Sequence, residues 1–96
     1  MDQRITLADL TAVIDRINKA TSSPLTPYTT DAAGRLRGNI GNFHLSRAYG
    51  GYCLHRMATD GGGVSDVFYC GHTTAGDLYK MMHGLLAGLR INEGEK

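Results

Sequence analysis

Between positions 34 and 69 the chain carries three runs of strand character separated by two glycine turns, Tyr49-Gly50-Gly51-Tyr52 and Asp60-Gly61-Gly62-Gly63. Glycines in such clusters admit positive φ at little steric cost, which is what a tight hairpin needs. Successive runs must therefore double back on one another, and a small antiparallel sheet becomes the centre of whatever fold forms.

The flanks read as helices. Thr6 followed three residues later by Asp9 is a capping box, and Leu7, Leu10, Val13, Ile14 and Ile17 recur at helical spacing while Asp9, Asp15, Arg16 and Lys19 fall off that line. This predicts a helix over 6–19. Pro24 and Pro27 remove backbone donors and bias the residues before them to extended conformations, so 20–27 is a loop. At the other end Thr74 and Asp77 form a second capping box, and Leu78, Met81, Met82, Leu85, Leu86 and Leu89 form a broad apolar stripe over 74–90. Gly84 and Gly88 are costly in a helix, and their spacing suits close backbone approach, read as packing on the sheet rather than a dimer seam. A polar tail over 91–96 is expected to fray.

Within the sheet region, Tyr28-Thr29-Thr30 and the turn Asp31-Ala32-Ala33-Gly34 predict a hairpin whose second arm runs from Arg35 toward Ser46. Gly38 and Gly41 are read there as bulges or points of close approach. Phe43 and Leu45 alternate with Asn42, His44 and Ser46; Tyr52 and Leu54 oppose Cys53, His55 and Met57; Val64, Asp66 and Phe68 alternate with Ser65, Val67 and Tyr69. The expected fold is a single α+β domain over 1–96. An antiparallel three- to four-stranded sheet over 28–70 is flanked in sequence by an N-terminal and a C-terminal helix, both packed on one face. The other face is left for a ligand or partner, and the edge strands invite a second copy, giving a homodimer.

Composition narrows the function. A 96-residue chain buries only about two thirds of its unfolded surface, so a partner subunit would help it. A formal net charge of +1 argues against non-specific nucleic-acid binding, which needs several cations on one face. The start Met1-Asp2-Gln3-Arg4 lacks the apolar core of a signal peptide, and no run is long enough to span a bilayer, so a cytoplasmic protein is expected. Cys53 and Cys70 do not make a disulfide framework.

The segments Gly41-Asn42-Phe43-His44-Leu45, Ala48-Tyr49-Gly50-Gly51-Tyr52-Cys53-Leu54-His55-Arg56-Met57, Gly61-Gly62-Gly63-Val64-Ser65-Asp66-Val67 and Gly76-Asp77-Leu78-Tyr79 together resemble a family of small hypothetical proteins of tailed bacteriophages and prophages. The resemblance covers about two thirds of the chain. It implies a phage or prophage origin and life in the cytoplasm of an infected bacterium, and it implies no activity, catalytic residue or cofactor; that small phage accessory proteins often act on host machinery or host defences is an association, not a site. Cys53, although it lies within one of these segments, and Cys70 are not among the residues the pattern shares, which argues against a cysteine-based mechanism.

Three constellations carry possible chemistry. Cys53-Leu54-His55 and Cys70-Gly71-His72 are two Cys-x-His pairs, each able to present both side chains on one face of an extended segment as a zinc site would require. The spacing is not that of a zinc finger, and the simpler reading makes the cysteines small hydrophobes. Arg47, Tyr49, Gly50, Gly51, Tyr52, His55, Arg56 and the run Gly61, Gly62, Gly63 could form an anion-binding nest with cations and stacking rings, suited to a nucleotide or phosphorylated signal. The competing reading is that glycine merely permits the hairpins. Ser46 or Ser65 with a histidine and Asp66 could be written as a triad, but no nucleophile elbow surrounds either serine, so the protein is not expected to be an enzyme. Helix–three strands–helix is also the order of double-stranded RNA-binding domains, yet the last helix begins Thr74-Ala75-Gly76-Asp77 without their basic cluster. Two expectations remain: a non-catalytic phage accessory protein that binds a host protein, or a protein that sequesters a small nucleotide-like ligand.

Overall fold

The computed structural model describes residues 4–94; Met1 to Gln3 at the start, and the last two positions of the expected frayed tail, lie outside the described residues. Helix α1 spans Leu7–Ala20. Thr6 caps it as the sequence requires, its hydroxyl accepting from the Asp9 amide at 3.2 Å and its own amide donating to the Asp9 carboxylate at 2.9 Å. Strands β1 (Tyr28–Thr30) and β2 (Leu36–Gly38) form a separate two-stranded ribbon, and β3 (Phe43–Ala48), β4 (Gly51–Met57) and β5 (Val64–Asp66) form the antiparallel sheet in that spatial order. Helix α2 spans Ala75–Gly94. Thr74 Oγ1 accepts from the Asp77 amide at 3.1 Å.

Both helices lie on one face of the sheet, α1 against β3, α2 against β4, and each against the other. The core between the layers consists of Leu10, Val13, Ile14 and Ile17 from α1, Phe43 and Leu54 from the sheet, and Leu78, Met82 and Leu86 from α2. Every one of these lies on an apolar line legible in the sequence. The molecule is 22 Å across its shortest axis, the depth of one helix layer and one sheet layer.

Four expectations need correcting. The second arm of the first hairpin does not run on toward Ser46: it stops at Gly38, and the chain turns through Asn39 to Asn42, with Gly41 at φ +96° and the Asn42 amide on the Asn39 carbonyl at 3.1 Å. Gly38 is a point of close approach, since a Cβ there would lie 2.6 Å from the Thr59 carbonyl oxygen and 2.9 Å from Met57 Sδ. Strand β5 ends at Asp66 instead of Tyr69, for a reason found in the Asp66 side chain. Its carboxylate accepts the amides of Phe68 (3.1 Å), Tyr69 (3.0 Å) and Gly71 (2.8 Å), which curls the chain out of the sheet after Val67, whose amide still donates to the Leu54 carbonyl at 3.0 Å, before Thr73 rejoins β4 opposite Tyr52. The last helix continues past 90 to Gly94, into the segment expected to fray. Finally, Gly84 and Gly88 do not pack on the sheet: both are exposed, and a Cβ at either would meet nothing within 4 Å.

The face away from the helices is also less bare than expected. The β1–β2 ribbon folds against one end of it, tied by Gly38 N to the Asp60 carbonyl (2.7 Å), and Met57 beneath is 1% exposed. The 67–72 loop covers the other end, where Cys53 is 2% exposed.

Candidate functional site

Strand β4 separates the two glycine turns. Its seven residues set them about 20 Å apart at roughly 3.3 Å per residue, so the single pocket expected from both turns together does not form. At one end, Ala48 pairs with Gly51 and leaves a two-residue loop, Tyr49-Gly50, with φ +54° and +74°. Positive φ at both positions is the type I′ geometry that matches the sheet twist. At the other end, the amides of Gly62 and Gly63 are consumed internally, donating to the Thr59 carbonyl (3.2 Å) and hydroxyl (2.8 Å). The glycines there close a turn and do not offer those amides to an anion.

The structure brings together Arg47, Tyr49, Gly50, Gly51 and Tyr52. Arg47, Ala48, Gly50, Gly51 and Tyr52 line an open cleft of about 460 Å³. The Arg47 guanidinium stands 5.6 Å over the Tyr52 ring and has no carboxylate within ion-pair distance among the described residues. Tyr49 is 97% exposed, its ring edge against His72 at 5.8 Å. Arg56 is apart from this group. It lies over Phe43 at 4.7 Å and donates to the Gly41 carbonyl at 3.2 Å, a role in covering the core edge.

His55 belongs to a different cluster, on the face away from the helices. The His44, His55 and His72 rings form a line, 5.9 Å and 6.2 Å between successive centroids, and Ser46 Oγ lies 3.0 Å from His72 Nε2. Asn42 fixes one tautomer. Its side-chain amide donates to the Pro24 carbonyl at 2.8 Å, so its Oδ1 must accept from His44 Nδ1 at 3.1 Å, and neutral His44 carries its lone pair on Nε2. Burial, and then the charge of His55, hold the His44 pKa below its ordinary 6.5.

The zinc reading is not supported by this geometry. Burial, with Asp66 beside it, pushes the Cys53 thiol up to about 12, Cys70 is exposed, and among the described residues no three ligand-type side chains converge on a point. The triad reading meets a similar obstacle. Burial acts to raise the Asp66 pKa, but the Gly71 amide, the Cys53 thiol and the amides of Phe68 and Tyr69 hold it below 3.8. The carboxylate is thus committed to the loop backbone, and among the described residues none bonds His72.

Two residues that matter were missed by reading for chemistry, Asn18 and Asn42, both buried. Asn18 grips the outer edge of β3: Nδ2 donates to the Phe43 carbonyl at 2.9 Å and Oδ1 accepts the Phe43 amide at 2.8 Å. The signal was available, since position 18 continues the 10–14 line of the α1 apolar stripe and a polar residue there must find buried partners. Among the described residues, no helix is long and apolar enough to cross a membrane. No protein-family model, no curated protein and no solved structure matches the chain.

Proposed function

We propose that the protein is a non-catalytic binding module that grips a protein partner with the tip of the β3–β4 hairpin, the partner being a bacterial host protein as the phage resemblance implies. One observation carries this reading: Tyr49, 97% exposed, is held at φ +54° beside the Arg47–Tyr52 cleft. A tyrosine in left-handed backbone is strained, and such strain concentrates where function requires a side chain in a set place. Tyrosine and arginine at a rim of open space are the residue types that dominate protein interfaces. Capture from bacterial lysate with the wild-type protein, Tyr49→Ala, and Leu36→Ala on the distant ribbon as control tests it. A host protein retained by the wild type and the control, and weakened by about 2 kcal/mol or more in Tyr49→Ala when remeasured with purified partner, supports the proposal. Capture indifferent to Tyr49 overturns it.

The cleft itself favours a second reading, sequestration of a nucleotide-like ligand, because a guanidinium stacked on a ring, with no carboxylate partner among the described residues, suits a phosphate beside a base. Under that reading added nucleotide raises Tm as mass action requires, and Arg47→Ala abolishes the rise.

A further inference from the structure

We infer that the outer edge of β3 is a strand-addition site for an extended peptide of acidic-x-apolar sequence. The hydrogen-bond parity of the sheet fixes which groups are available. With Ala48 and Gly51 closing a two-residue hairpin, the pairs Ala48–Gly51, Ser46–Cys53 and His44–His55 exchange bonds between the strands, and Phe43, Leu45 and Arg47 turn their N–H and C=O groups outward. The neighbouring bonds confirm the parity: Tyr52 and Leu54 bond on the opposite side of β4, to Thr73 and Val67, and Phe43 bonds outward to Asn18. Asn18 thus occupies the first rung of an absent strand. The next two rungs, at Leu45 and Arg47, have no backbone or side-chain partner among the described residues.

A groove of about 200 Å³ runs along this edge, walled by Thr11, Ile14, Asp15 and Asn18 of α1 and by Leu25 and Pro27 of the connecting loop. The α1 wall decides between occupants. A second copy pairing through β3 would carry its own α1 on the same face, over a strand about 5 Å away, whereas packed helices stay 8–10 Å apart. A lone extended segment meets no such obstacle. Antiparallel to β3, a peptide residue opposite Leu45 directs its side chain toward Ile14 and Leu25, and the residue two earlier stands opposite Arg47 on the same face. The first site is mainly apolar, with Asp15, paired to Lys19 at 3.0 Å, also on its lining. The second stands opposite Arg47, whose guanidinium lies over the Tyr52 ring with no carboxylate partner among the described residues and so selects a carboxylate. This extends the binding-module reading to an adjoining surface that shares Arg47 with the hairpin-tip cleft, and Tyr49, which only the first reading uses, lets the two fail separately.

The test is selection of displayed random short peptides on the folded protein, followed by amide hydrogen exchange of the bound complex. The inference requires enrichment of acidic-x-apolar sequences and slowed exchange at Leu45 and Arg47. It also requires Arg47→Pro, which removes the outward N–H as well as the guanidinium but no β3–β4 bond, to weaken binding about tenfold beyond Arg47→Ala, and Arg47→Glu to switch the selected charge to basic. Tyr49→Ala, which disables the hairpin tip, leaves peptide binding intact. Should Arg47→Pro fail to fold, the wild-type exchange pattern decides alone. Absence of enriched peptides, or enriched peptides that leave the Leu45 and Arg47 amides exchanging at the unbound rate, overturns the inference.

Discussion

Asn18 commits both ends of its side-chain amide to a single backbone residue, Phe43, at the seam between α1 and the sheet. Asn18→Ala leaves a buried N–H and a buried C=O without partners, each worth on the order of 1–3 kcal/mol. A loss of about 2–4 kcal/mol in urea unfolding is expected, a large share of what a domain of this size holds. A loss under about 1 kcal/mol would mean that water or a rotated neighbour satisfies Phe43. The titratable residues act in two pH windows. His44 has a pKa lowered in the fold, so the unfolded chain binds more protons as pH drops through 6.5, and stability falls from there down to the folded value. Asp66 and Asp31 are held below 3.8, so their contribution is complete above that value and disappears as pH falls through their lower folded values. Urea midpoints measured against pH should therefore decline in two steps, and His44→Gln should flatten the upper step alone.

At the scale of elements, both helices and the strand alternation of β3 and β4 were legible in the sequence. Their apolar lines are regular, and the Thr6–Asp9 box is an unambiguous start. The ends of β2 and β5 were not, because tertiary partners set them. The Gly38 amide is taken by Asp60, and the Asp66 carboxylate captures the loop amides; neither partner is visible from strand periodicity. Of the site, the Arg47–Tyr52 group was legible because a two-residue turn brings it together locally. The histidine line and the β3 edge depend on register, which the sequence left open. Gly84 and Gly88 remain costly and unexplained by packing within the chain. If their cost serves nothing in the isolated molecule, Gly84→Ala and Gly88→Ala each stabilise α2 by about 0.5–1 kcal/mol, measured as a rise in Tm. Unchanged or lowered Tm would show that the exposed helix face is covered in solution.

For the whole molecule the tightest constraint is the tension between a stable hairpin and an available Tyr49. The turn Tyr49-Gly50 is type I′, for which Asn-Gly is the favoured sequence, because asparagine accepts left-handed backbone that a bulky aromatic resists. Tyr49 makes an edge contact with His72 and is otherwise exposed among the described residues, so little packing offsets that strain. Tyr49→Asn should accordingly raise stability by about 0.5–1 kcal/mol, within the usual range for matching a residue to its backbone conformation. The same change removes the ring that the binding proposal relies on. If the hairpin tip is the partner surface, the variant is more stable and loses capture of the host protein. If stability rises and capture is untouched, the strain at position 49 serves no interface and the partner surface lies elsewhere, with the β3 edge next in line. If stability falls, the His72 contact outweighs the backbone term, and Tyr49 is a structural pin for the 67–72 loop. The paired measurement of urea midpoint and partner affinity on this one variant thus separates a residue kept for binding from one kept for folding.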